Sequence, residues 1–163
     1  GETEEKEVYD WSTYKLCNGT SSSFTKYSTN SKYGTVDNKT ELDPEDDVAH
    51  VRMGGYWRMP TKSEWQNLYD GCTWTWTQEN GVNGYIVTSK KTGESIFLPA
   101  GGVVDKNGTS LTQQEGRYWS SSLYLNPNDG RPVSAYRLRI SQSIHSMSME
   151  PRRNGLTVRP VTK

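Results

Sequence analysis

The sequence predicts one α+β domain in which two short helices precede a β-rich second half. Helix-start signals occur at residues 43–47 and 61–64, and strand-like segments separated by Gly, Asn and Asp turns follow Gly71. Helices that come before the strands, rather than alternating with them, are typical of α+β folds. A length of 163 residues suits a single domain and we find no internal repeat, so we take residues 1–163 as one unit.

The composition is polar, yet it indicates a folded chain. Hydrophobic residues make up 31% of the sequence, and the mean hydropathy is −0.89. Such values are typical of disordered chains, but disorder also requires a high net charge and few aromatic residues. Here the formal net charge is zero, and 6 Trp and 10 Tyr residues can build the core that aliphatic side chains do not supply.

The N-terminal quarter predicts a surface region held by aromatic side chains. Residues 1–10 are acidic and without pattern, as at a frayed terminus. Residues 11–41 are rich in Ser, Thr, Asn and Gly and have no period. Five rings are spaced through them: Trp11, Tyr14, Phe24, Tyr27 and Tyr33. We expect these rings to hold a long loop against the domain.

Two helices are predicted next. Asp43 as N-cap and Pro44 at the first helical position begin one helix, with Val48 and Val51 on one face and a stop at Gly54. The second helix opens with a capping box, in which Thr61 and Glu64 satisfy each other's free backbone donors. Its predicted buried stripe has helical spacing and consists of Trp65, Leu68, Tyr69 and Cys72.

Strand signals occupy the rest of the chain. Residues 85–89 and 95–99 flank a turn and predict a hairpin, and residues 103–105, 118–122 and 156–159 predict further short strands. Residues 135–140 alternate: Tyr136, Leu138 and Ile140 share one face, while Arg137 and Arg139 lie on the other.

The sequence predicts neither a metal site nor a cofactor. Cys17 and Cys72 lack the spacing of a zinc site, and either a disulfide or two buried thiols is compatible with them. The oxygen-rich segment at residues 126–130 lacks the length and closing glutamate of a calcium loop, so a turn is the better interpretation.

Catalytic signatures are weak. His50 and His145 are the histidines in the chain; serines flank His145, but no nucleophile-elbow motif accompanies them. The aspartates at residues 46, 47, 105 and 129 show no pairing of the kind that glycosidases need. We therefore expect neither triad hydrolysis nor glycosidase chemistry from these residues.

Charge is distributed unevenly along the chain, and this distribution indicates which binding partners to expect. Residues 1–50 hold 11 acidic residues against 5 lysines, whereas residues 131–163 hold 7 basic residues against Glu150 alone. The two ends could steer ligands, but mutual packing is the simpler interpretation. Five of those arginines (131, 137, 139, 152 and 153) could contact nucleic acid, yet the neutral overall charge argues against such a partner. No apolar run is long enough to span a membrane.

The segment between residues 122 and 155 has the pattern of a recognition surface. Its apolar positions alternate, while the side chains between them are chemically mixed. A merely solvated face would show the same pattern, so composition alone leaves both interpretations open.

Three sequence blocks resemble a known family. The first is Gly55-Tyr56-Trp57-Arg58-Met59-Pro60-Thr61-Lys62-Ser63-Glu64-Trp65, which is similar to a segment of the C-type-lectin-like fold in the branch shared with formylglycine-generating enzymes. The second, residues 80–85 with 95–100, resembles the Fibrobacter-succinogenes-major-paralogous (FISUMP) domains of Bacteroidetes surface proteins. The third comprises residues 118–122 and 155–161, and the blocks occur in the family's order.

This resemblance implies a C-type-lectin-like fold, with two short helices and a twisted, mostly antiparallel sheet. It also implies a secreted or cell-surface protein that binds a protein or glycan ligand without catalysis. Similar domains are variable proteins of diversity-generating retroelements and adhesins at pilus tips. Carried over by position, the outward-facing ligand-binding residues are Arg137, Arg139, Ser141, His145, Ser146, Ser148, Glu150, Arg152, Arg153 and Asn154, with Tyr124 at the rim of the binding face. Trp57, Trp65, Trp119 and Val158 would be framework.

The departures from the family define the alternatives. The calcium-binding sugar motifs of true lectins are absent, and so is the catalytic cysteine pair of formylglycine-generating enzymes. A structural subunit of a pilus or envelope assembly and an enzyme of the same fold are the competing hypotheses. Family members usually carry a further strand before the segment where this chain starts, so a sheet edge that pairs with a partner chain is a further expectation.

Overall fold

A computed structural model describes residues 2–162. Within this range three short 3-10 turns, two α-helices and eight β-strands follow one another along the chain. The turns comprise Trp11–Thr13, Ser31–Tyr33 and Pro44–Asp46. The helices are α1 (Val48–Met53) and α2 (Lys62–Gly71). The strands are β1 (Cys72–Glu79), β2 (Val82–Ser89), β3 (Ser95–Pro99), β4 (Val103–Asp105), β5 (Gly108–Ser110), β6 (Glu115–Tyr124), β7 (Ser134–Ser141) and β8 (Ile144–Pro151).

The strands form three small antiparallel sheets in the described part of the chain, ordered β1-β2-β3, β4-β5 and β6-β7-β8. Within each sheet, strands that follow one another in the sequence lie side by side. The predicted α+β class, with helices before strands, is therefore confirmed. The expected single twisted sheet is instead divided into three. Neither helix between residues 2 and 162 is long and apolar enough to cross a bilayer.

The larger core lies on one face of the β6-β7-β8 sheet. Helix α2 and strand β2 pack against this face. Tyr118, Leu138 and Ile140 of the sheet are at most 1% exposed, and Trp65 of α2 is 3% exposed. The indole N–H of Trp65 donates to the carbonyl of Trp119 at 3.1 Å, so the predicted stripe of α2 is anchored to the sheet. Leu68 packs at the edge of the same core.

The second core is built from the aromatic side chains of the N-terminal loop. Phe24 and Tyr27 are almost completely buried, and Tyr14 and Tyr33 pack with them, as the sequence predicts. Trp11 is only half-buried and meets Tyr14 and Phe24 edge-on. This region therefore folds as a compact covering layer, with its own apolar centre, rather than as an open loop.

The two helix starts differ from each other. Thr61 caps α2 as predicted: its hydroxyl accepts from the Glu64 N–H at 3.2 Å, and Glu64 accepts from the Thr61 N–H at 2.9 Å. Helix α1 is capped by Asp47, not by Asp43 as predicted, because the Asp47 carboxylate accepts from the N–H groups of Ala49 and His50. Asp43 instead precedes a 3-10 turn.

The buried side of α1 also differs from the prediction. Ala49 is 3% exposed, whereas Val51 is 47% exposed. The side of α1 that meets the protein is therefore centred on Ala49, and the face shared by Val48 and Val51 is half-buried at Val48 and exposed at Val51.

Several strands depart from the sequence analysis. The hairpin at residues 85–89 and 95–99 forms as β2 and β3, and the strand at 103–105 forms as β4. Strands β1, β5 and β8 were not predicted. The expected strand at residues 156–159 is reduced to single bridges, such as that between Tyr118 and Thr157.

Cys17 and Cys72 are free, buried thiols in separate cores. The structure thus decides the alternative that the sequence left open, and the two cysteines act as apolar packing residues.

Replacing Trp65 with alanine should cost about 3–5 kcal/mol of unfolding free energy, because the large side chain leaves a cavity in the main core. Tyr56→Ala is the matched control, since this ring is 81% exposed and its loss should change stability by less than about 0.5 kcal/mol. Urea unfolding followed by tryptophan fluorescence and circular dichroism gives both values. Equal stability of the two variants would refute the core assignment.

Replacing Glu64 with glutamine should produce a pH-dependent loss of stability. The guanidinium of Arg58 lowers the pKa of Glu64 from 4.5 to about 2. A depressed pKa means that the stabilisation is present above the unfolded-state pKa and is lost as the pH falls toward the folded-state value. The pair is partly exposed, so we expect about 1 kcal/mol at neutral pH. The difference from wild type should shrink in unfolding measurements between pH 4.5 and 2; a constant difference would contradict this prediction.

Candidate functional site

The face of the β6-β7-β8 sheet opposite the main core presents polar side chains in cross-strand rows. One row joins Arg117, Arg139 and Ser146, as given by the pairing register. The flanking rows join Trp119, Arg137 and Ser148 on one side, and Glu115, Ser141 and Ile144 on the other. Glu150, which lies two residues beyond Ser148 on β8, extends the same face. We call these ten residues the polar face.

Two buried carboxylates hold the arginines of the polar face in place. Glu115 accepts from Arg117 and from Arg139, each at 2.6 Å. Glu150 accepts from Arg137 at 2.7 Å and from Arg117 at 3.1 Å. Because Arg117 contacts both carboxylates, the five side chains form one connected network. Charge-assisted hydrogen bonds of this kind restrict side-chain motion and fix the geometry of the face.

Burial changes the titration of this network. Burial by itself would raise the pKa of Glu115, but the hydrogen bonds from Arg139 and Arg117 outweigh it and lower the pKa below its usual value. Burial also lowers the pKa of Arg137, against the opposing charge of Glu150. Glu115 is therefore ionised at neutral pH.

Three of the predicted ligand-binding residues are not outward-facing. Arg137 and Glu150 are each 7% exposed, because they pair with one another inside the network. Arg152 is 8% exposed and belongs to the N-terminal core, where its guanidinium donates to the carbonyls of Lys26, Tyr27 and Pro132 and to the Tyr14 hydroxyl. A buried charge needs partners of this kind, so the side chains of all three residues stabilise the fold.

Other predicted residues lie at the border of the face. Asn154 donates to Glu150 at 2.8 Å and supports the network from outside the sheet. Arg153 lies over the ring of Trp11, with 5.4 Å from its guanidinium carbon to the ring centroid. Both side chains connect the sheet to neighbouring layers.

His145 and Tyr124 lie on the opposite side of the sheet. His145 is stacked on Trp74 at 4.8 Å between ring centroids, and its burial lowers its pKa. Tyr124 meets Tyr136 edge-on at 5.4 Å. Successive residues of a strand alternate between faces, so His145 and Ser146 point in opposite directions and cannot act as a hydroxyl–imidazole pair.

The structure places Arg139, Ser141, Ser146 and Ser148 together on the polar face, and it adds two charged residues that the sequence does not assign to the site. Glu115 and Arg117 alternate with Gly116 and Tyr118 on β6. Their two-residue spacing was a usable signal, but only the register with β7 shows which arginines they meet.

A separate cavity of about 460 Å³ lies beneath the N-terminal residues 2–9, next to α1 and residues 154–160. Its wall includes Leu42, Met53, Met59 and Val158 and is mainly apolar. The covering segment is attached through side chains, including two hydrogen bonds from Arg52 to the Thr3 carbonyl at 3.0 and 3.1 Å. The space suits a small apolar group.

The acidic cluster near α1 shares one lysine as its common ion-pair partner. The carboxylates of Asp43, Glu45 and Asp46 lie within 4.8 Å of one another, and the ammonium of Lys26 lies 2.6–2.9 Å from each. Within residues 2–162, no ion pair joins residues 2–50 to the basic segment 131–162. The acidic and basic ends of the chain contact each other through arginines that meet backbone carbonyls and aromatic rings. In the same range, the ion pairs of each end have partners other than the opposite end.

In comparisons with known proteins, no family model matched the chain, and no curated protein or solved structure was significantly similar to it.

Replacing Glu150 with glutamine should cost about 3–5 kcal/mol, because it leaves the buried Arg137 without its counter-ion. If Glu150 faced outward, as the sequence predicts, the same substitution would change the free energy of unfolding by no more than about 0.5 kcal/mol. Urea unfolding therefore distinguishes a buried Glu150 from an exposed one. Glu79→Gln at the exposed end of β1 is the control for the loss of one carboxylate. Replacing Arg137 and Glu150 together with methionine should cost less than Glu150→Gln alone, and a larger loss in the double variant would contradict this account.

Proposed function

We propose that this protein is a non-catalytic ligand-binding domain that recognises a protein or glycan through the polar face. The observation that carries the proposal is the ion-pair network, which holds three arginines in fixed positions beside accessible serines. Side chains that are already ordered lose little conformational entropy when a ligand binds. The side chain of Arg139 is 36% exposed, and Ser141, Ser146 and Ser148 are half-buried, so these residues can be reached by a ligand.

The proposal includes a C-type-lectin-like fold of the FISUMP type. It is supported by contacts among the sequence blocks that resemble this family. Arg58 forms a bridge with Val161, the Ser121 N–H donates to the Pro60 carbonyl, and Trp65 donates to Trp119. Segments far apart in sequence thus converge around α2 and β6. A location on the cell surface or in the secreted fraction is part of the same proposal.

Ligand binding is favoured over catalysis by the placement of the reactive side chains. His145 is enclosed by Trp74, Tyr69 and Tyr85, on the face opposite the serines. Cys72 is buried in the main core. The competing hypothesis is a structural subunit of a pilus or envelope assembly. Under that hypothesis the polar face would bind no ligand of its own.

A binding screen against host glycans and surface proteins tests the function. Ser146→Tyr places a large ring on the polar face and leaves every ion pair in place, so it should abolish ligand capture. Thr75→Tyr on the exposed side of β1 is the matched control and should bind as wild type does. A ligand captured equally by both variants would place the site elsewhere, and a screen without ligands would favour the structural subunit.

A further inference from the structure

The carboxylate oxygens of the polar face are all occupied, by its own arginines and by Asn154. Both oxygens of Glu115 accept a hydrogen bond, one from Arg117 and one from Arg139. Both oxygens of Glu150 are occupied as well, by Arg117, Arg137 and Asn154. A ligand that offered donors to these two carboxylates would therefore have to compete with a buried ion pair.

Donors are in excess on the same face. A guanidinium has N–H groups on three nitrogens, and each arginine of the network has nitrogens that the two carboxylates leave unused. Nη1 of Arg137 and Nε of Arg139 are buried and have no acceptor within residues 2–162. Three arginines against two glutamates also leave the network with one uncompensated positive charge. The polar face therefore lacks sufficient hydrogen-bond acceptors and negative charge, and a ligand that binds there has to supply both.

The position of the donors favours a sugar over a peptide. Strand β7 is the central strand of its sheet, so its backbone groups are paired on both sides and only side chains meet a ligand. Extended peptides are bound chiefly through the main chain of an edge strand. The serine hydroxyls beside Arg139 both donate and accept, which matches the hydroxyl groups of a sugar ring.

We propose that the ligand of the polar face is an acidic glycan, whose carboxylate or sulfate group is bound by Arg139 and Arg117 and whose ring hydroxyls contact Ser141 and Ser146. This proposal rests on the proposed function and specifies the ligand class of the same site. Arg139 is the most exposed cation of the network and supplies the first contact, while Arg117, at 17% exposure, lies behind it.

The test compares pairs of polymers that differ in charge alone. Oligogalacturonate is compared with its fully methyl-esterified form, and dextran sulfate with dextran, by titration calorimetry at low and high salt. The acidic member of at least one pair should bind, and the neutral member should bind at least tenfold more weakly, on the order of the strength of one charge-assisted hydrogen bond. Binding of the carboxylated polymer alone, or of the sulfated polymer alone, identifies the anionic group.

Two variants connect this binding to the polar face. Arg139→Gln should weaken binding of the acidic polymer by about tenfold or more. Ser146→Glu should weaken it similarly by adding a negative charge, and it keeps every ion pair, so it remains informative if Arg139→Gln is unstable. Lys91→Gln removes one charge from the exposed turn after β2 and should leave the affinity unchanged.

Three results would overturn the acidic-glycan proposal. Equal binding of the neutral polymers, abolished by Ser146→Tyr, would retain the binding function and refute the charge requirement. Poly-glutamate bound as tightly as the acidic glycans would show attraction by charge alone. Failure of all four polymers would also refute the proposal, and the ligand screen with Ser146→Tyr would then decide the proposed function independently.

Discussion

Strand β7 contributes side chains to the apolar main core on one face and to the ion-pair network on the other. Both the main core and the polar face depend on this alternation. Leu138 and Ile140 are fully buried against α2 and β2, while Arg137 and Arg139 alternate with them. A strand turns successive side chains to opposite faces, so a shift of one residue in register would place arginines in the core. The main core therefore determines the orientation of the polar face.

A second constraint is the buried guanidinium of Arg152. It joins the end of β8 to the N-terminal layer by donating to the carbonyls of Lys26 and Tyr27, and it lies 4.6 Å above the ring of Phe24. A buried cation is tolerated only where polar acceptors surround it. These carbonyls come from a segment more than a hundred residues earlier in the chain. One side chain thus couples the covering layer to the sheet that carries the candidate site.

The charged side chains of the polar face lose hydration when they are buried, and in return the ion pairs restrict their motion. Desolvating Glu115, Glu150 and Arg137 carries a large free-energy penalty, which the short ion pairs between them offset. A purely structural face could be built from apolar residues at lower cost. Retaining charged groups here leaves a rigid array of hydrogen-bond donors, and a binding surface needs that property more than a core does.

The local features of this protein could be predicted from residue type and spacing. The capping box at Thr61 and Glu64, the buried Trp65 and the alternation of β7 depend on neighbours within a few residues, so residue type and spacing predict them. Helix α1 was misplaced because Asp43 and Asp47 are both plausible caps, and the choice between them depends on a long-range bond from the Met59 N–H to Asp47.

The burial of particular polar residues could not be predicted from the sequence, because it follows from long-range packing. In the sequence Arg137, Glu150 and Arg152 look like outward-facing charges, and nothing nearby indicates their partners. Arg137 meets Glu150 through the pairing of β7 with β8, Arg117 joins them from β6, and Arg152 finds its acceptors in the N-terminal layer. The burial of a charge depends on partners brought together by strand register and layer packing, and those are properties of the whole fold.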